Sequence, residues 1–241
     1  MPLIRPGGTA LTKRAIDFIS TTYELPEGFK LLDIGCGDGT AAAFVKETYG
    51  ADVTGIDKCE ASVEQAKALG IRALKGDSVM LDFTSKSFDV VMLECVFSVL
   101  DRQEESLHEA YCVLKNGGFL IINDVYNRKP DPERFEREYK EAMRLFRRPR
   151  NEGDCESADK LPSPYNQDGA IVLDGLEKLI NELDLEILLA EDHTDELKYF
   201  AGQAIFEYGS LDEYFKKNGC ENGCSLKCKQ PGYFMLIARK K

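Results

Sequence analysis

Three glycines at alternate positions, Gly35, Gly37 and Gly39, follow directly on the apolar run Leu31-Leu32-Asp33-Ile34. That spacing lets the backbone turn sharply between a strand and a helix. It also lets a ligand approach main-chain N–H groups with no Cβ in the way. Acidic residues then recur at the ends of the apolar runs that follow. Asp57, with Lys58 beside it, ends the second run, where a carboxylate can accept both hydroxyls of a ribose. Asp77 and Ser78 follow the third, placed to take the exocyclic amine of an adenine. Glu94 ends the fourth, beside the switch point at which open α/β sheets bind ligands. The chemistry is that of holding an adenosine-bearing cofactor. A nicotinamide site would prefer Gly or Ala at the sixth position of the glycine turn, and Thr40 stands there instead.

Positioning such a set requires strands that end at one edge of a sheet. Lys30 to Ile34 reads as a buried strand, followed by a helix carrying Ala41, Phe44, Val45 and Thr48 and stopped by Gly50. Asp52 to Ile56 is a second strand, and Val63, Ala66 and Leu69 mark one face of the next helix. Ile71 to Leu74 and Phe88 to Leu93 are the third and fourth strands, the latter apolar enough to be buried on both faces. Leu107, Ala110, Tyr111 and Leu114 mark a helix closed by Asn116-Gly117-Gly118, and Phe119 to Asn123 is the fifth strand. Strands alternating with helices predict a doubly wound, Rossmann-like α/β fold: a mostly parallel sheet with helices on both faces.

The rhythm breaks between residues 127 and 170, read as an inserted helix and loop that form a lid. Asp131-Pro132 is a strong helix start, and Phe135, Tyr139, Ala142, Met143 and Phe146 form a stripe behind it. Asp174 and Glu177 then read as a capping box for the helix through Leu176, Leu179, Ile180 and Leu183. Leu185 to Ala190 is the sixth strand, Leu197 to Tyr208 a helix, Ser210 and Glu213 the cap of a shorter one, and Tyr233 to Arg239 the seventh strand. The expectation is one domain, 1–241, with a helical N-terminal cap (1–29) and a cysteine-rich loop (218–230) before the last strand.

Leu31 to Gly39 resembles the first motif of the class I S-adenosylmethionine-dependent methyltransferases. Asp57, Gly76-Asp77-Ser78 and Phe88-Asp89-Val90-Val91 fall where that family's later motifs stand. Within it the chain is most similar to the UbiE-like, generic small-molecule type. The resemblance covers roughly Lys30 to Asp124 and implies a first loop, with Asp33, Gly35, Cys36, Gly37 and Gly39, around the methionine part. It puts Asp57 on the ribose and Asp77 near the adenine, and implies S-adenosylhomocysteine as product. Asp124 and Tyr126, after the fifth strand, are the expected acceptor-binding residues. Arg5 can meet the cofactor carboxylate or stand in solvent, and His193 can act as a base or start a helix.

Cys220, Cys224 and Cys228, four residues apart, can converge on a soft metal ion or metalloid, with Cys155 or His193 as a fourth ligand. Arsenite methyltransferases also use cysteine triads and a similar Asp-Val-Tyr segment, although their cysteines are distributed differently. The 31 basic and 42 acidic residues give a net charge of −11, opposite to the balance of a duplex-binding protein. Of the basic residues, Arg144, Arg147, Arg148 and Arg150 form the densest cluster. No nucleic acid, no membrane span and no secretory signal are expected, since Met1 to Ala10 has prolines and glycines where such a signal would need a continuous apolar stretch. These features predict a cytoplasmic monomer or weak homodimer that methylates a small molecule. The alternatives are a metalloid methyltransferase, or a noncatalytic thiol or metal sensor that keeps the cofactor fold.

Overall fold

A computed structural model of the chain describes residues 5–146, 163–217 and 227–241. Nine strands and eight α-helices occur among them, in the order α1 (Gly8–Thr22), β1 (Lys30–Ile34), α2 (Thr40–Tyr49), β2 (Asp52–Asp57), α3 (Glu60–Ala68), β3 (Arg72–Lys75), β4 (Phe88–Glu94), α4 (Gln103–Val113) and β5 (Leu114–Asn127). Then come α5 (Pro132–Phe146), β6 (Asn166–Gln167), β7 (Ala170–Ile171), α6 (Leu173–Glu182), β8 (Leu185–Asp192), α7 (Thr194–Tyr208), α8 (Leu211–Lys217) and β9 (Pro231–Lys240).

The sheet runs β3-β2-β1-β4-β5 in parallel, and β9 continues it antiparallel to β5 with β8 antiparallel to β9. The seven long strands are those expected from the sequence, and β6 and β7 add a small hairpin at the end of β5. Period-two alternation divides the core into two layers. Leu31, Val90, Met92 and Ile121 face α1, α2 and α3, where Ile16, Ala42, Val45 and Val63 cover them. Leu32, Val91, Leu93 and Ile122 face α4 and α6, where Leu107, Ala110, Leu176 and Ile180 do the same. Because β9 opposes β5, pairing Asn127 with Pro231, the ends of β1, β2, β4, β5 and β8 share one edge with the start of β9.

Local expectations are met at two helix starts. The Arg134 N–H donates to Asp131 Oδ1 at 3.0 Å, with Pro132 first in α5, and the Glu213 N–H donates to Ser210 Oγ at 3.1 Å ahead of α8. Elsewhere the structure departs from the sequence reading. The helix α4 stops at Val113, because Leu114 pairs with Phe88 and the chain enters β5 directly, the Asn116-Gly117-Gly118 segment lying inside the strand. Leu69 is half-exposed rather than core-facing, since α3 ends one residue earlier. Asp174 lies inside the first turn of α6 behind Val172, so it favours the helix dipole without capping. Residues 163–169, read as part of a loop, instead bury Tyr165 and, with Ala170 and Ile171, form the β6–β7 hairpin, which turns on Asp168 and Gly169, both at positive φ. The remainder of the expected lid, 147–162, lies outside the described residues, as do Cys155 and three of the clustered arginines.

Candidate functional site

The glycine turn and Asp57 are joined by hydrogen bonds. Asp57 ends β2, and its Oδ2 accepts the Gly37 N–H at 2.9 Å while Oδ1 accepts the Cys59 N–H at 2.8 Å. One carboxylate thus ties the turn after β1 to the start of α3, leaving a second lone pair on each oxygen. The Gly35 and Cys36 N–H groups both donate to the Ile56 carbonyl, which pins the start of the turn to β2. At Gly37, with φ +53, a Cβ would meet nothing within 4 Å, so this backbone faces open space. The Cys36 side chain is buried beside Gly55, and burial pushes its thiol well above the usual range.

The other expected cofactor residues divide. Asp77 Oδ1 accepts the Val79 N–H at 3.2 Å, and Lys58, largely exposed, lies 3.3 Å from Asp77 Oδ2. The Ser78 hydroxyl is buried 2.8 Å from that of Ser106, so its side chain turns toward α4. Glu94 is buried and holds the N-terminal segment. Its Oε2 lies 2.6 Å from Arg5 Nη2, its Oε1 accepts Thr12 Oγ1 at 3.0 Å, and Asn123 Nδ2 donates to Oε1 at 2.8 Å.

Asp33 shares this environment. Burial, with help from the Glu94 charge and opposed by Arg5, raises its carboxyl to about 8. A carboxyl raised in the folded state from 3.8 contributes stability below that value and loses it as pH rises through about 8. Asp33→Asn does not titrate there, so it is expected to gain stability relative to the parent chain as pH goes from 4 to 8. Urea melts at both ends of that window check this, and a constant difference would refute it.

The two expected acceptor residues are engaged internally. Asp124 is buried and accepts the Ser98 N–H at 2.8 Å, the Ser98 hydroxyl at 2.7 Å and the Val125 N–H at 2.7 Å, with burial raising its carboxyl to about 6. The Tyr126 hydroxyl donates to Asp192 at 2.7 Å, beside a polar cleft of about 400 Å³ that includes Arg128, His193 and Lys198. His193 precedes the first turn of α7 and lies 3.1 Å from Glu191, while His108 lies 3.7 Å from Cys112. Cys220 and Cys224 lie outside the described residues. Cys228 is buried, and no cluster of three or more His, Cys, Asp or Glu side chains among the described residues is arranged to hold a metal ion.

Sequence reasoning missed Cys95, Tyr233, Thr12 and Asn123. Cys95 follows Glu94 at a positive φ of +55, with its sulfur 2.9 Å from the buried Tyr233 hydroxyl. Its place directly after a strand-end carboxylate was the available signal. The other three join the site only through contacts distant in the chain.

Residues 32–122 match the family model described as "Methyltransferase domain". The mouse arsenite methyltransferase is 33% identical over 131 residues, which is 47% of this chain and 35% of that protein. The ubiquinone/menaquinone biosynthesis C-methyltransferase UbiE of Cereibacter sphaeroides is 32% identical over 114 residues, 44% of this chain and 45% of that one. The chain therefore spans less than half the length of these relatives. Over 97% of its length it superposes on 85% of a putative sarcosine dimethylglycine methyltransferase from Galdieria sulphuraria, with a TM-score of 0.71 at 14% identity. Over residues 32–122 the chain is thus similar to the methyltransferase-domain family, and over nearly its whole length it shares the fold of a methyltransferase.

Proposed function

We propose that the protein transfers the methyl group of S-adenosylmethionine to a small-molecule acceptor and releases S-adenosylhomocysteine. The observation that carries this reading is the Asp57 carboxylate, held by the Gly37 and Cys59 N–H groups at the shared strand edge. Gly37 offers open backbone to the methionine part, Asp57 its free lone pairs to the ribose, and Asp77 a carboxylate toward the adenine.

When bound, the cofactor supplies a methyl carbon on a sulfonium. An acceptor lone pair forms the new bond to that carbon as the C–S bond breaks, its electron pair remaining on sulfur. The protein has to hold the acceptor atom about 3 Å from the methyl and exclude water. Soft or anionic acceptors need no base, which suits a site without an obvious dyad. Segments 128–146, 163–171 and 194–217 leave or enter the sheet at the cofactor edge, Arg5 and Thr12 reach it through Glu94, and we assign acceptor enclosure to these parts of the chain.

No helix among the described residues is long and apolar enough to cross a membrane. Cys36, Cys59, Cys95, Cys112 and Cys228 are free thiols, in keeping with a reducing, cytoplasmic setting. The acidic surface suits a monomer or weak dimer.

The test is transfer of radiolabelled methyl into an extract of the source cells separated by size, with arsenite as a parallel acceptor. Label in the small-molecule fraction is expected. Label on arsenite, lost when Cys220, Cys224 and Cys228 become Ser, would identify a metalloid acceptor. Cofactor binding with no transfer to any fraction would sink the enzymatic reading in favour of a sensor.

A further inference from the structure

Helix α7 buries one face and leaves another bare. Phe200 and Ala204 pack on Tyr214 of α8, with Tyr208 beside them. Away from that contact Tyr199, Ile205 and Phe206 are 59%, 50% and 91% exposed. The Gln203 amide donates to the Tyr199 hydroxyl at 2.9 Å, which fixes that ring along the helix. An apolar face rimmed by polar residues marks a site of association.

Glycines alternate with the two aromatic rings. Tyr199, Gly202, Phe206 and Gly209 follow one another at spacings of three and four, which keeps them on one face of the helix. A Cβ at either glycine would meet nothing within 4 Å. Gly209 has a reason of its own, since it ends α7 at φ +84. Gly202 has none among the described residues: it lies inside the helix, where glycine is less stable than alanine. A hollow beside a protruding ring is half of a knob-into-hole pair, and the same surface turned end for end supplies the other half. Gly202 and Phe206 share the midpoint Ala204 with Tyr199 and Gly209, so a single two-fold axis seats both rings of each copy in the hollows of the other.

The charges favour a second copy as the occupant. From Tyr199 to Gly209 the only ionised side chain is Glu207, and loss of charge with gain of aromatics is the mark of an interface centre. Lys198, which pairs with Asp195 at 2.7 Å, stands before this stretch, and Asp212 and Glu213 open α8 after it. Inversion therefore brings a lysine toward an acidic turn at both ends. A bilayer would call for a rim of Lys and Arg, whereas Glu196, Glu207 and Asp212 flank this face. Four rings at about 150–250 Å² each bury on the order of 600–1,000 Å², below the ~1,200 Å² of a stable interface, so the association is a weak one.

We propose that the bare face of α7 is a homodimer surface, on which two copies pack antiparallel about a two-fold axis level with Ala204. Phe206 of each copy sits at Gly202 of the other. Asp195 and Lys198 also line the polar cleft beside Tyr126, so the second copy stands at the rim of that cleft. The surface does not depend on the cofactor reading.

Sedimentation velocity of the parent chain, from micromolar to near-millimolar concentration, should show a monomer–dimer equilibrium. Phe206→Glu should stay monomeric throughout. Gly202→Ala fills the hollow and should weaken association at least tenfold, while raising the melting temperature of the dilute monomer because alanine favours helix. Weaker association with a lower melting temperature would mean only a damaged helix and overturns the proposal. A dimer that survives both substitutions overturns it too, placing the contact elsewhere. So does a parent chain that stays monomeric; its capture by phosphatidylcholine vesicles, lost in Phe206→Glu, would make the face a lipid contact instead.

Discussion

Replacing Gly39 by Ala is expected to destabilise the protein by about 3 kcal/mol, the sum of a left-handed backbone penalty of about 1–2 and an overpacking cost of about 1–3. Gly39 sits at φ +81 and ψ 7 immediately before α2. A Cβ added there would lie 2.7 Å from the Cβ of Ala66 and 2.8 Å from its Cα. The second contact is with backbone, so no rotamer change relieves it, and α3 would have to move away from α2. Ala66 is itself fully buried, which leaves α3 no slack on that side. Gly37→Ala is the internal comparison. It carries the same kind of backbone penalty at φ +53 but meets nothing, so a loss nearer 1 kcal/mol is expected. Urea denaturation of both variants decides the matter, and equal losses would mean that helix contact contributes nothing at Gly39.

Asp57→Ala is expected to weaken S-adenosylhomocysteine binding at least 100-fold in a calorimetric titration. The substitution removes both intended ribose contacts and both backbone acceptors, for Gly37 at 2.9 Å and Cys59 at 2.8 Å. Charge-assisted hydrogen bonds are worth about 1.5–3 kcal/mol each, so losing two toward the ligand already exceeds a factor of 100. Asp57→Asn keeps one acceptor oxygen and should fall between the two. Unchanged affinity in Asp57→Ala would remove Asp57 from the site.

Much of this architecture is legible in the sequence because it is local. Each of the seven long strands is a short apolar run, and Asp33, Asp57 and Glu94 mark strand ends without reference to anything distant. The mismatches arise where tertiary contact overrides a local signal. Leu114 fits the helical period of Leu107 and Ala110, yet pairing with Phe88 draws it into β5. Ser78 stands beside Asp77 in sequence, but its hydroxyl is claimed by Ser106 on α4. The Asp168-Gly169 turn dipeptide lies at the end of a polar stretch, and the burial of Tyr165 that anchors its hairpin has no periodic signature. Asp124 reads as an acceptor residue from its position after a strand, but Ser98 and the following N–H occupy its oxygens. The Arg5–Glu94 pair joins the chain's beginning to the end of β4, and no local pattern announces such a partner.

The central claim is that the strand edge around Asp57 holds S-adenosylmethionine, and competitive calorimetry tests it most directly. S-adenosylhomocysteine should bind the purified chain at one site per molecule, be displaced by S-adenosylmethionine, and be unaffected by NAD. A chain that binds NAD in preference, or that takes up neither sulfur nucleoside, would contradict the account.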